Sequence, residues 1–322
     1  MAIVDAYCHI GLPRFGTPED ALRTLGLWSI ERAVFVLGPQ VPDYPTLLSA
    51  LQSYGDRIRG IGIPFGTTAP EVEEAVLLQL RAGVLGLRME PSELLSYPRV
   101  LAILGERARW LYAIGAISSP EVARTLLTWL ERYPAARVAA PHFLAPGLPL
   151  AGDVGDEIRQ ELLSHPRFYA ILSRHGGVGS SRAYPHEDLR AWVLDAISRV
   201  GWGRLLWGSE YPVLFWRNET LGDALRWLSE LLPECSDESL QAFLGGTAER
   251  VLFGNPPPEA ESVQFPEWIA ARFNRERTVP LFPGGLSIPM ALYDKLHHQY
   301  VECLQQDRQL TFAQAVIDRL AR

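Results

Sequence analysis

Short apolar runs alternate with longer amphipathic stretches along the first 255 residues. Eight of the runs have the length and the continuous apolar character of strands that are buried on both faces. They cover residues 3–9, 32–37, 58–64, 83–89, 110–116, 136–142, 167–173 and 204–210. The stretches between them have the periodicity of amphipathic helices. This alternation predicts a (β/α)8 barrel over residues 1–255, with a doubly wound open sheet as the alternative. No G-x-G-x-x-G follows the first run, which argues against a dinucleotide-binding sheet.

Three of the predicted helices begin with the same arrangement of residues. A hydroxyl residue, Thr17, Thr68 or Ser119, stands near the N-cap, with a proline in the first turn and an acidic residue after it. The hydroxyl can accept a hydrogen bond from a free amide of the first turn, and proline has no amide to leave unpaired. We therefore expect helices to begin at these three points.

Residues 256–322 follow a different pattern from the barrel. The proline-rich segment 255–262 is typical of a stiff linker, and residues 280–289 are typical of a loop. A helix is predicted over residues 290–306, and Thr311 with Gln314 indicates a capping box that opens a last helix. An eightfold barrel has no place for these elements. We expect a mainly helical C-terminal extension that acts as a lid, a brace or an oligomer contact.

Composition and charge restrict the partners and the cellular location that we expect for this protein. The net charge of -7 provides no basic field, so we expect neither a nucleic-acid nor an anionic membrane partner. No apolar run approaches the roughly 20 residues that span a bilayer. The three cysteines, Cys8, Cys235 and Cys303, form no disulfide framework and no metal-ligand spacing. Since the first strand begins at Ile3 and leaves no room for a signal peptide, we expect a cytoplasmic protein.

Polar and ionisable side chains collect where the predicted strands end. In a TIM barrel, the carboxyl ends of the strands form the active site. The residues at these ends are Tyr7 and His9, Arg88 and Glu90, His142, Ser173 with Arg174 and His175, and Glu210 with Tyr211. The sequence therefore predicts a site at the mouth of the barrel.

The first strand has its own pattern, IVDAYCHIG. Because side chains alternate along a strand, Asp5, Tyr7 and His9 are expected to share one face and Cys8 to take the other. If the shared face is the interior, Tyr7 and His9 point into the mouth and Asp5 is a structural residue at its base. Cys8 then packs against the helices as a small buried apolar residue.

Four segments resemble motifs of the amidohydrolase-2 branch of the amidohydrolase superfamily, and they occur in the same order. VDAYCHIG resembles the opening D-x-H-x-H, and RVAAPHFLAPG resembles the histidine-bearing sixth strand. LLWGSEYP resembles the closing G-S-D-[YW]-P, and GGTAERVLF resembles the N-A-x-R-L-F helix. The resemblance covers about residues 1–255 and implies a barrel hydrolase or decarboxylase. In many members, histidines and the last-strand aspartate hold one divalent metal that activates water.

The chain departs from that pattern at three places. Tyr7 stands in place of the first histidine, Glu210 stands in place of the aspartate, and the fifth strand has no histidine. Tyrosine is a poor ligand unless it loses its proton, which normally needs a pH near 10. We expect a site without a cofactor. The alternative is one divalent ion such as zinc, which needs about three protein ligands, held by His9, His142 and Glu210.

Some relatives in the family are lactonases that work without metal, and this resemblance implies catalytic roles for four residues. Glu210 would take a proton from water. His142 or His9 would polarise the carbonyl or stabilise the oxyanion. Tyr7 would donate a hydrogen bond to the same oxygen or protonate a leaving group. A carboxylate between aromatic walls is expected to have a raised pKa, which suits a base near neutrality.

A second set of residues is predicted to bind the substrate. These residues are Arg88, Ser173, Arg174, His175 and Trp216. Arginines favour a carboxylate on the substrate, and aromatic residues favour a ring. The alternative role for Arg88 is an internal ion pair with Glu90 or Glu93. The predicted function is hydrolysis of an ester, lactone or amide of a small carboxylate-bearing, cyclic or aromatic compound.

Two other functions stay open at this point. A lyase on the same fold, either a decarboxylase or a cyclase, would use Tyr7 as an acid and would need no water at Glu210. Alternatively, the altered ligand set marks a catalytically silent barrel that binds a small molecule or a partner protein. The extension is expected to mediate any homo-oligomer, and His297 and His298 on its helix are expected to be surface or interface residues.

Overall fold

The computed structural model describes residues 2–12, 14–39, 41–143, 156–174, 180, 182–217, 219–272, 278–280 and 286–320. Eight parallel strands pair in sequence order, so the predicted TIM barrel is confirmed. They are β1 (Ile3–Ile10), β2 (Ile30–Leu37), β3 (Ile58–Gly62), β4 (Gly86–Met89), β5 (Trp110–Ala113), β6 (Arg137–Ala140), β7 (Phe168–Leu172) and β8 (Leu205–Trp207). All eight predicted strands are present, and most of them end earlier than the apolar run does.

Helices lie between the strands and continue into the C-terminal region. They are α1 (Pro18–Gly26), α2 (Tyr44–Tyr54), α3 (Ala69–Arg81), α4 (Pro91–Ser96), α5 (Pro98–Glu106), α6 (Pro120–Arg132), α7 (Asp156–Ser164), α8 (Arg190–Val200), α9 (Val213–Trp216), α10 (Leu221–Leu231), α11 (Asp237–Gln241), α12 (Glu267–Arg272), α13 (Met290–Leu304) and α14 (Phe312–Leu320). Two π-helical segments, Ala242–Gly246 and Glu249–Phe253, follow α11, and a pair of short strands, β9 (Thr278–Pro280) and β10 (Ser287–Pro289), precedes α13. None of the described helices has the length and apolar character needed to cross a membrane.

The three predicted helix starts are confirmed. Thr17 accepts a hydrogen bond from the Asp20 amide at the start of α1, and Ser119 accepts one from the Val122 amide at the start of α6. Thr68 forms a complete capping box with Glu71 at the start of α3. Each cap satisfies an amide that the helix itself leaves unpaired, which explains why these helices begin where they do.

Strands β1 and β8 meet at the upper part of the barrel. The Glu210 amide donates to the Tyr7 carbonyl at 2.8 Å, and the His9 amide donates to the Tyr211 carbonyl at 2.6 Å. Gly208 allows this approach, because a Cβ atom there would lie 2.9 Å from the Cβ of Tyr7. These contacts bring the end of the last strand against the end of the first.

An irregularity in β1 changes which residues face the interior. The register with β2 shifts between Asp5 and Cys8, as in a β-bulge. Ala6 and Tyr7, which are adjacent in sequence, both belong to the interior cluster, whereas Cys8 belongs to the cluster between sheet and helices. The expectation that Asp5 shares the face of Tyr7 and His9 is therefore wrong, because the bulge breaks the two-residue alternation. The expected packing of Cys8 against the helices is confirmed.

The barrel interior consists of two layers. The lower one, here called the apolar layer, is made of large buried side chains: Ile61, Trp110, Tyr112, Tyr169 and Leu206. Above it lies the mouth layer, made of Tyr7, His9, Arg88, His142 and Glu210, all buried. Tyr7 joins the layers, since its ring stacks on Tyr112 with 6.3 Å between centroids.

The C-terminal region runs along the outside of the barrel and then packs on its upper edge. Glu261 pairs with Arg81 at 2.8 Å, and Phe265 stacks on Tyr44 with 4.8 Å between ring centroids. Helix α13 packs against α1 through a buried face that includes Tyr293 and His297. The prediction that His297 is a surface or interface residue is wrong, because one side of α13 is buried within the chain. The domain boundary at residue 255 stays a prediction.

Candidate active site

Three consecutive strands deliver a site residue in the same uncommon backbone conformation. His142 after β6, Arg174 after β7 and Glu210 after β8 have φ angles of 58°, 59° and 57°. This left-handed region disfavours residues that carry a Cβ atom, by about 1–2 kcal/mol each. Non-glycine residues persist there only when the surrounding structure holds them, which is typical of functional sites. Ser29, Ala108 and His186 share this conformation elsewhere in the chain, so the candidate active site is marked by the occurrence of the strain at three successive strand ends that carry ionisable side chains.

Glu210 is the centre of this group. Its side chain is fully buried, and its two oxygens bind two different guanidinium groups. Arg174 Nε donates to Oε1 and Arg217 Nη1 donates to Oε2, both at 2.7 Å. His142 Nε2 lies 3.4 Å from Oε1. A buried carboxylate that is paired in this way is a fixed negative charge rather than a free acid.

The expected direction of the pKa shift at Glu210 is wrong. Burial opposes ionisation, but His142, Arg217 and Arg174 outweigh it, and the pKa lies well below its usual range. The expectation considered only the aromatic walls, whereas the structure adds two cations at hydrogen-bonding distance. Glu210 is consequently ionised at every pH at which the protein is expected to work.

Tyr7 stands between the two histidines of the mouth layer. Its ring makes edge contacts with His9 and His142, with 4.9 Å between the centroids in both cases. Arg88 Nε donates to the Tyr7 hydroxyl at 3.1 Å, and Arg88 Nη2 pairs with Glu90 at 2.6 Å. Burial raises the pKa of Tyr7, so its hydroxyl keeps its own proton and can donate it to a substrate.

The two histidines differ in the nitrogen that they offer to the mouth. His9 Nδ1 lies 2.9 Å from the Val36 carbonyl, which can only accept, so Nδ1 is assigned the proton and Nε2 keeps a lone pair. The Ser173 hydroxyl lies 3.1 Å from both the backbone amide and the Nδ1 of His142. If Ser173 accepts from the amide and donates to Nδ1, the proton of His142 is on Nε2 and faces Glu210.

Both imidazoles are neutral near pH 7. Burial lowers the pKa of His9 to about 4, and Arg88 and Arg174 act in the same direction. Burial also lowers the pKa of His142 well below its usual value, again with Arg174 and Arg88 contributing. With neutral rings, His9 is an acceptor toward the mouth, and His142 is a donor toward it when Ser173 donates to its Nδ1.

Asp5 supports the site from below. Its Oδ1 accepts from the amides of Tyr7 and Ser209, both at 3.0 Å, and its Oδ2 binds the Ser209 hydroxyl. The Tyr211 amide in turn donates to that hydroxyl at 2.8 Å. Burial raises the pKa of Asp5 to about 7. Asp5 thus ties β1 to the turn that presents Glu210.

An aromatic wall closes one side of the mouth. Phe15 stacks on His9 with 4.9 Å between centroids, and Trp216 stacks on Phe15 at 5.9 Å. The Arg14 guanidinium lies 5.1 Å from the Phe15 ring and 5.0 Å from the Trp216 ring. On the side of β2 to β4, a cavity of about 410 Å³ is lined in part by Phe65, Glu90 and Tyr97.

The residues present do not fit a divalent metal. A metal on His9, His142 and Glu210 would need their free donor atoms to converge on one point. Both oxygens of Glu210 are instead held by arginine, so a metal there would be repelled by two positive charges at short range. Across the described part of the chain, no group of three histidine, cysteine or acidic residues has a metal-binding arrangement. No step proposed below uses a metal.

The structure brings most of the sequence-predicted residues together. Tyr7, His9, Arg88, His142, Ser173, Arg174 and Glu210 are linked by the contacts given above, whereas His175 lies outside the described residues. Ser173 is fully buried behind His142, and Trp216 contributes to the aromatic wall. Sequence analysis missed Arg217 and Phe15. The only signal for Arg217 was a basic residue beside Trp216, in the loop that follows the last strand.

Comparison with known proteins identifies the family. A family model described as "Amidohydrolase" matches residues 17–254, which is most of the barrel. A strand-ordered (β/α)8 barrel with ionisable residues at its mouth is the architecture that the motifs had indicated. The chain belongs to the amidohydrolase-2 family, whose members are mostly enzymes. Among curated proteins, none matches this sequence.

Solved structures share the fold at low identity. A candidate 2-pyrone-4,6-dicarboxylic acid hydrolase from Pseudomonas putida is 23% identical, with a TM-score of 0.59 over 79% of this chain and 97% of that chain. A second one, from Acinetobacter baumannii with citric acid bound, is 17% identical, with a TM-score of 0.56 over 79% and 100%. The 5-carboxyvanillate decarboxylase of Sphingomonas paucimobilis is 12% identical, with a TM-score of 0.50 over 78% and 98%. At these identities the likeness shows a shared fold.

Proposed function

We propose that the chain hydrolyses an ester, lactone or amide of a small compound that carries a carboxylate and a ring. The observation that supports this most is the placement of one ionised carboxylate, Glu210, beside two proton donors, Tyr7 and the Nε2–H of His142. Water addition to a carbonyl needs an acceptor for the water proton and donors for the oxygen that becomes negative. The mouth layer contains both kinds of group within one small region.

The assigned tautomers give each residue a separate role in this reaction. Glu210 accepts the proton of the attacking water. His142 Nε2–H donates to the carbonyl oxygen as it becomes an oxyanion, while the lone pair of His9 Nε2 orients the water. As the bond to the leaving oxygen breaks, Tyr7 protonates that oxygen, and the Glu210 proton then restores Tyr7. The products are a carboxylic acid and an alcohol, or an amine from an amide.

Arg174 couples the carboxylate of the substrate to the base. Its guanidinium is held by Glu210 on one side, and about a third of its side chain remains exposed, 32%. A substrate carboxylate that binds Arg174 competes with Glu210 for this cation. A carboxylate that loses a neighbouring cation is less stabilised in its ionised form. The pKa of Glu210 therefore rises, and the group becomes a better base. The enzyme would therefore favour anionic substrates over neutral ones.

A lyase is the second candidate, and one observation favours it. Glu210 has a low pKa and is bound by two arginines, which suits a fixed charge better than a base. Decarboxylation needs a cationic pocket for the carboxylate and a proton donor for the carbon from which carbon dioxide departs. Arg174 and Tyr7 would then supply these two functions, and no water would be deprotonated.

The test is a substrate panel for the purified protein, with proton release followed in weakly buffered solution and carbon dioxide measured in parallel. The panel pairs cyclic and aromatic esters and lactones with and without a carboxylate. We expect turnover of a carboxylated lactone or ester, little turnover of its neutral analogue, and no change on adding zinc or a chelator. Glu210→Gln should reduce kcat by about 100-fold to 10,000-fold, the range typical of a lost general base.

Glu93→Gln is the matched control, because this carboxylate caps α4 near the mouth without contacting Glu210. It should leave kcat within about twofold, as expected of a residue away from the chemistry. Release of carbon dioxide without proton release from hydrolysis would favour the lyase. Binding of an anionic probe with no turnover of the whole panel would instead indicate a binding protein.

A further inference from the structure

Helix α13 brings a buried histidine to the back of the candidate active site. His297 is 1% exposed, and its Nε2 lies 2.8 Å from the Tyr211 hydroxyl. Tyr211 directly follows Glu210, and the backbone groups of both residues bind β1. Helix α13 lies outside residues 17–254, the part that matches the family model. A segment beyond the family region therefore contacts the residue next to the proposed base.

We propose that His297 is a positioning residue of the candidate active site, acting through the hydroxyl of Tyr211 on the turn that presents Glu210. The role assigned to Glu210 rests on the proposed function, whereas the contact itself does not. Three further observations support the proposal: the direction of the hydrogen bond between His297 and Tyr211, the aromatic packing of α13 on the aromatic wall, and the left-handed backbone at Glu210.

The surroundings of His297 indicate the direction of its hydrogen bond to Tyr211. Nε2 of His297 lies 2.8 Å from the Tyr211 hydroxyl, whereas Nδ1 of His297 has no hydrogen-bond partner among the described residues. A buried N–H without a partner is rarer than a buried acceptor without one, so the proton is assigned to Nε2 and Tyr211 accepts it. The bond therefore runs from α13 to the residue that follows Glu210.

Aromatic packing supports the same turn from a second direction. His297 packs on Phe215 with 6.2 Å between ring centroids, and Tyr293, one turn earlier on α13, makes an edge contact with Trp216 at 5.1 Å. Arg217 follows Trp216 and binds Oε2 of Glu210. Helix α13 therefore contacts the segment from Glu210 to Arg217 near both of its ends, at Tyr211 and at Trp216.

The left-handed backbone at Glu210 explains why such support is needed. A φ angle of 57° at a glutamate is unfavourable by about 1–2 kcal/mol, so the turn relaxes unless neighbouring contacts hold it. An imidazole is also a poor choice for mere filling, since burying a polar ring is unfavourable unless it is hydrogen-bonded. The buried hydroxyl of Tyr211 supplies that partner.

The experiment compares His297→Phe, which keeps an aromatic ring but removes the donor, with Tyr211→Phe, which removes the same bond from the other side. Hydrogen exchange of the backbone is measured over residues 209–217, and kcat and KM are measured on the lactone or ester identified for the wild type. A lost neutral hydrogen bond should increase exchange and decrease kcat by about threefold to tenfold, with KM nearly unchanged. The double variant should be no worse than the worse single variant, because both remove one interaction.

Two further variants separate positioning from general packing. His297→Gln keeps an N–H donor near the place of Nε2 and should restore kcat toward the wild-type value. His298→Gln changes the neighbouring residue, which is half exposed and binds Asp20 on α1, and should leave residues 209–217 unaffected.

The proposal is overturned if residues 209–217 exchange at the wild-type rate in both phenylalanine variants. It is also overturned if these variants lower only the melting temperature and leave kcat unchanged below it. If the wild type turns over no substrate of the panel, the proposed function fails, and the exchange rates alone decide whether His297 positions the turn.

Discussion

The two layers of the barrel interior come from different sets of strands and have opposite chemistry. The apolar layer comes from β3, β5, β7 and β8, whereas the mouth layer comes from β1, β4 and the ends of β6 and β8. In the apolar layer, Trp110 packs on Tyr169 and Tyr112 with ring centroids 5.2 and 6.5 Å apart. Nearer the carboxyl ends of the strands, the mouth layer buries a carboxylate, an arginine and two imidazoles. The first layer gains stability from packing, whereas the second gathers charges whose burial is unfavourable unless they are paired.

The difference between the layers teaches where this chain tolerates strain. Among the described residues, six non-glycine residues have a left-handed backbone; three of them, His142, Arg174 and Glu210, follow barrel strands at the mouth, and none belongs to the apolar layer. Burial of large apolar side chains in the lower layer stabilises the barrel by a few kcal/mol per residue. This stabilisation offsets the unfavourable backbone and buried charges of the mouth, whose arrangement serves chemistry rather than stability.

Truncating the apolar layer should have the largest effect on stability. Trp110→Ala removes a side chain that is 2% exposed and should lower the free energy of unfolding by about 3–5 kcal/mol, through lost burial and a cavity. Chemical denaturation measures this change, while kcat per folded molecule should stay close to wild type. Leu194→Ala, at a 43% exposed position, is the control. A loss of kcat without a loss of stability would show that the layers are not separable.

Removing the Tyr7 hydroxyl, at the centre of the mouth, should have the opposite effect: a large loss of kcat with little loss of stability. Tyr7→Phe keeps the ring between the two histidines but deletes the proton donor, and it should lower kcat by about 100-fold, as expected for a lost oxyanion or leaving-group donor. Steady-state kinetics and a melting curve on the same sample provide the measurement. Tyr44→Phe, which changes another buried tyrosine whose hydroxyl donates to the Ile63 carbonyl, should leave kcat unchanged. Full activity of Tyr7→Phe would remove Tyr7 from the mechanism.

Asp5 ties β1 to the turn that presents Glu210, so its substitution should affect both stability and kcat moderately. Asp5→Ala leaves the amides of Tyr7 and Ser209 without an acceptor and should lower the free energy of unfolding by about 1–3 kcal/mol, together with kcat. Asp5→Asn keeps the oxygen that accepts from both amides, so it should lose less stability and less activity than Asp5→Ala. Equal losses in the two variants would indicate that the charge of Asp5, rather than its hydrogen bonds, holds the turn.

Lowering the pH should destabilise the folded chain, and His9 contributes to the dependence of the unfolding free energy on pH. The pKa of His9 is lowered from 6.5 to about 4 in the folded chain, so between these values only the unfolded chain binds the extra proton. Stability should therefore fall as the pH falls through this window, by about 1.4 kcal/mol per pH unit for this residue. His9→Gln should reduce the slope of unfolding free energy against pH by that amount, whereas Trp110→Phe should not change it.

Much of the fold and part of the site could be predicted from local patterns. The eight apolar runs, the caps at Thr17, Thr68 and Ser119, and the polar residues after the strands all depend on neighbours within a few positions. The phase of β1 could not be predicted, because the bulge between Asp5 and Cys8 arises from pairing with β2. The sign of the pKa shift at Glu210 could not be predicted either, because Arg174 comes from a different strand end.

The sequence by itself determined that this chain forms strands and helices in alternation, and that reactive side chains follow the strands, since strand and helix periods and caps are local properties of the chain. The tertiary structure decided which of those side chains meet. It placed Arg217 on Glu210, held Nδ1 of His9 against the Val36 carbonyl and Nδ1 of His142 against Ser173, and buried His297 behind Tyr211. These contacts join residues that are distant in sequence, and their energies depend on a burial and an electrostatic environment that exist only after the barrel has closed.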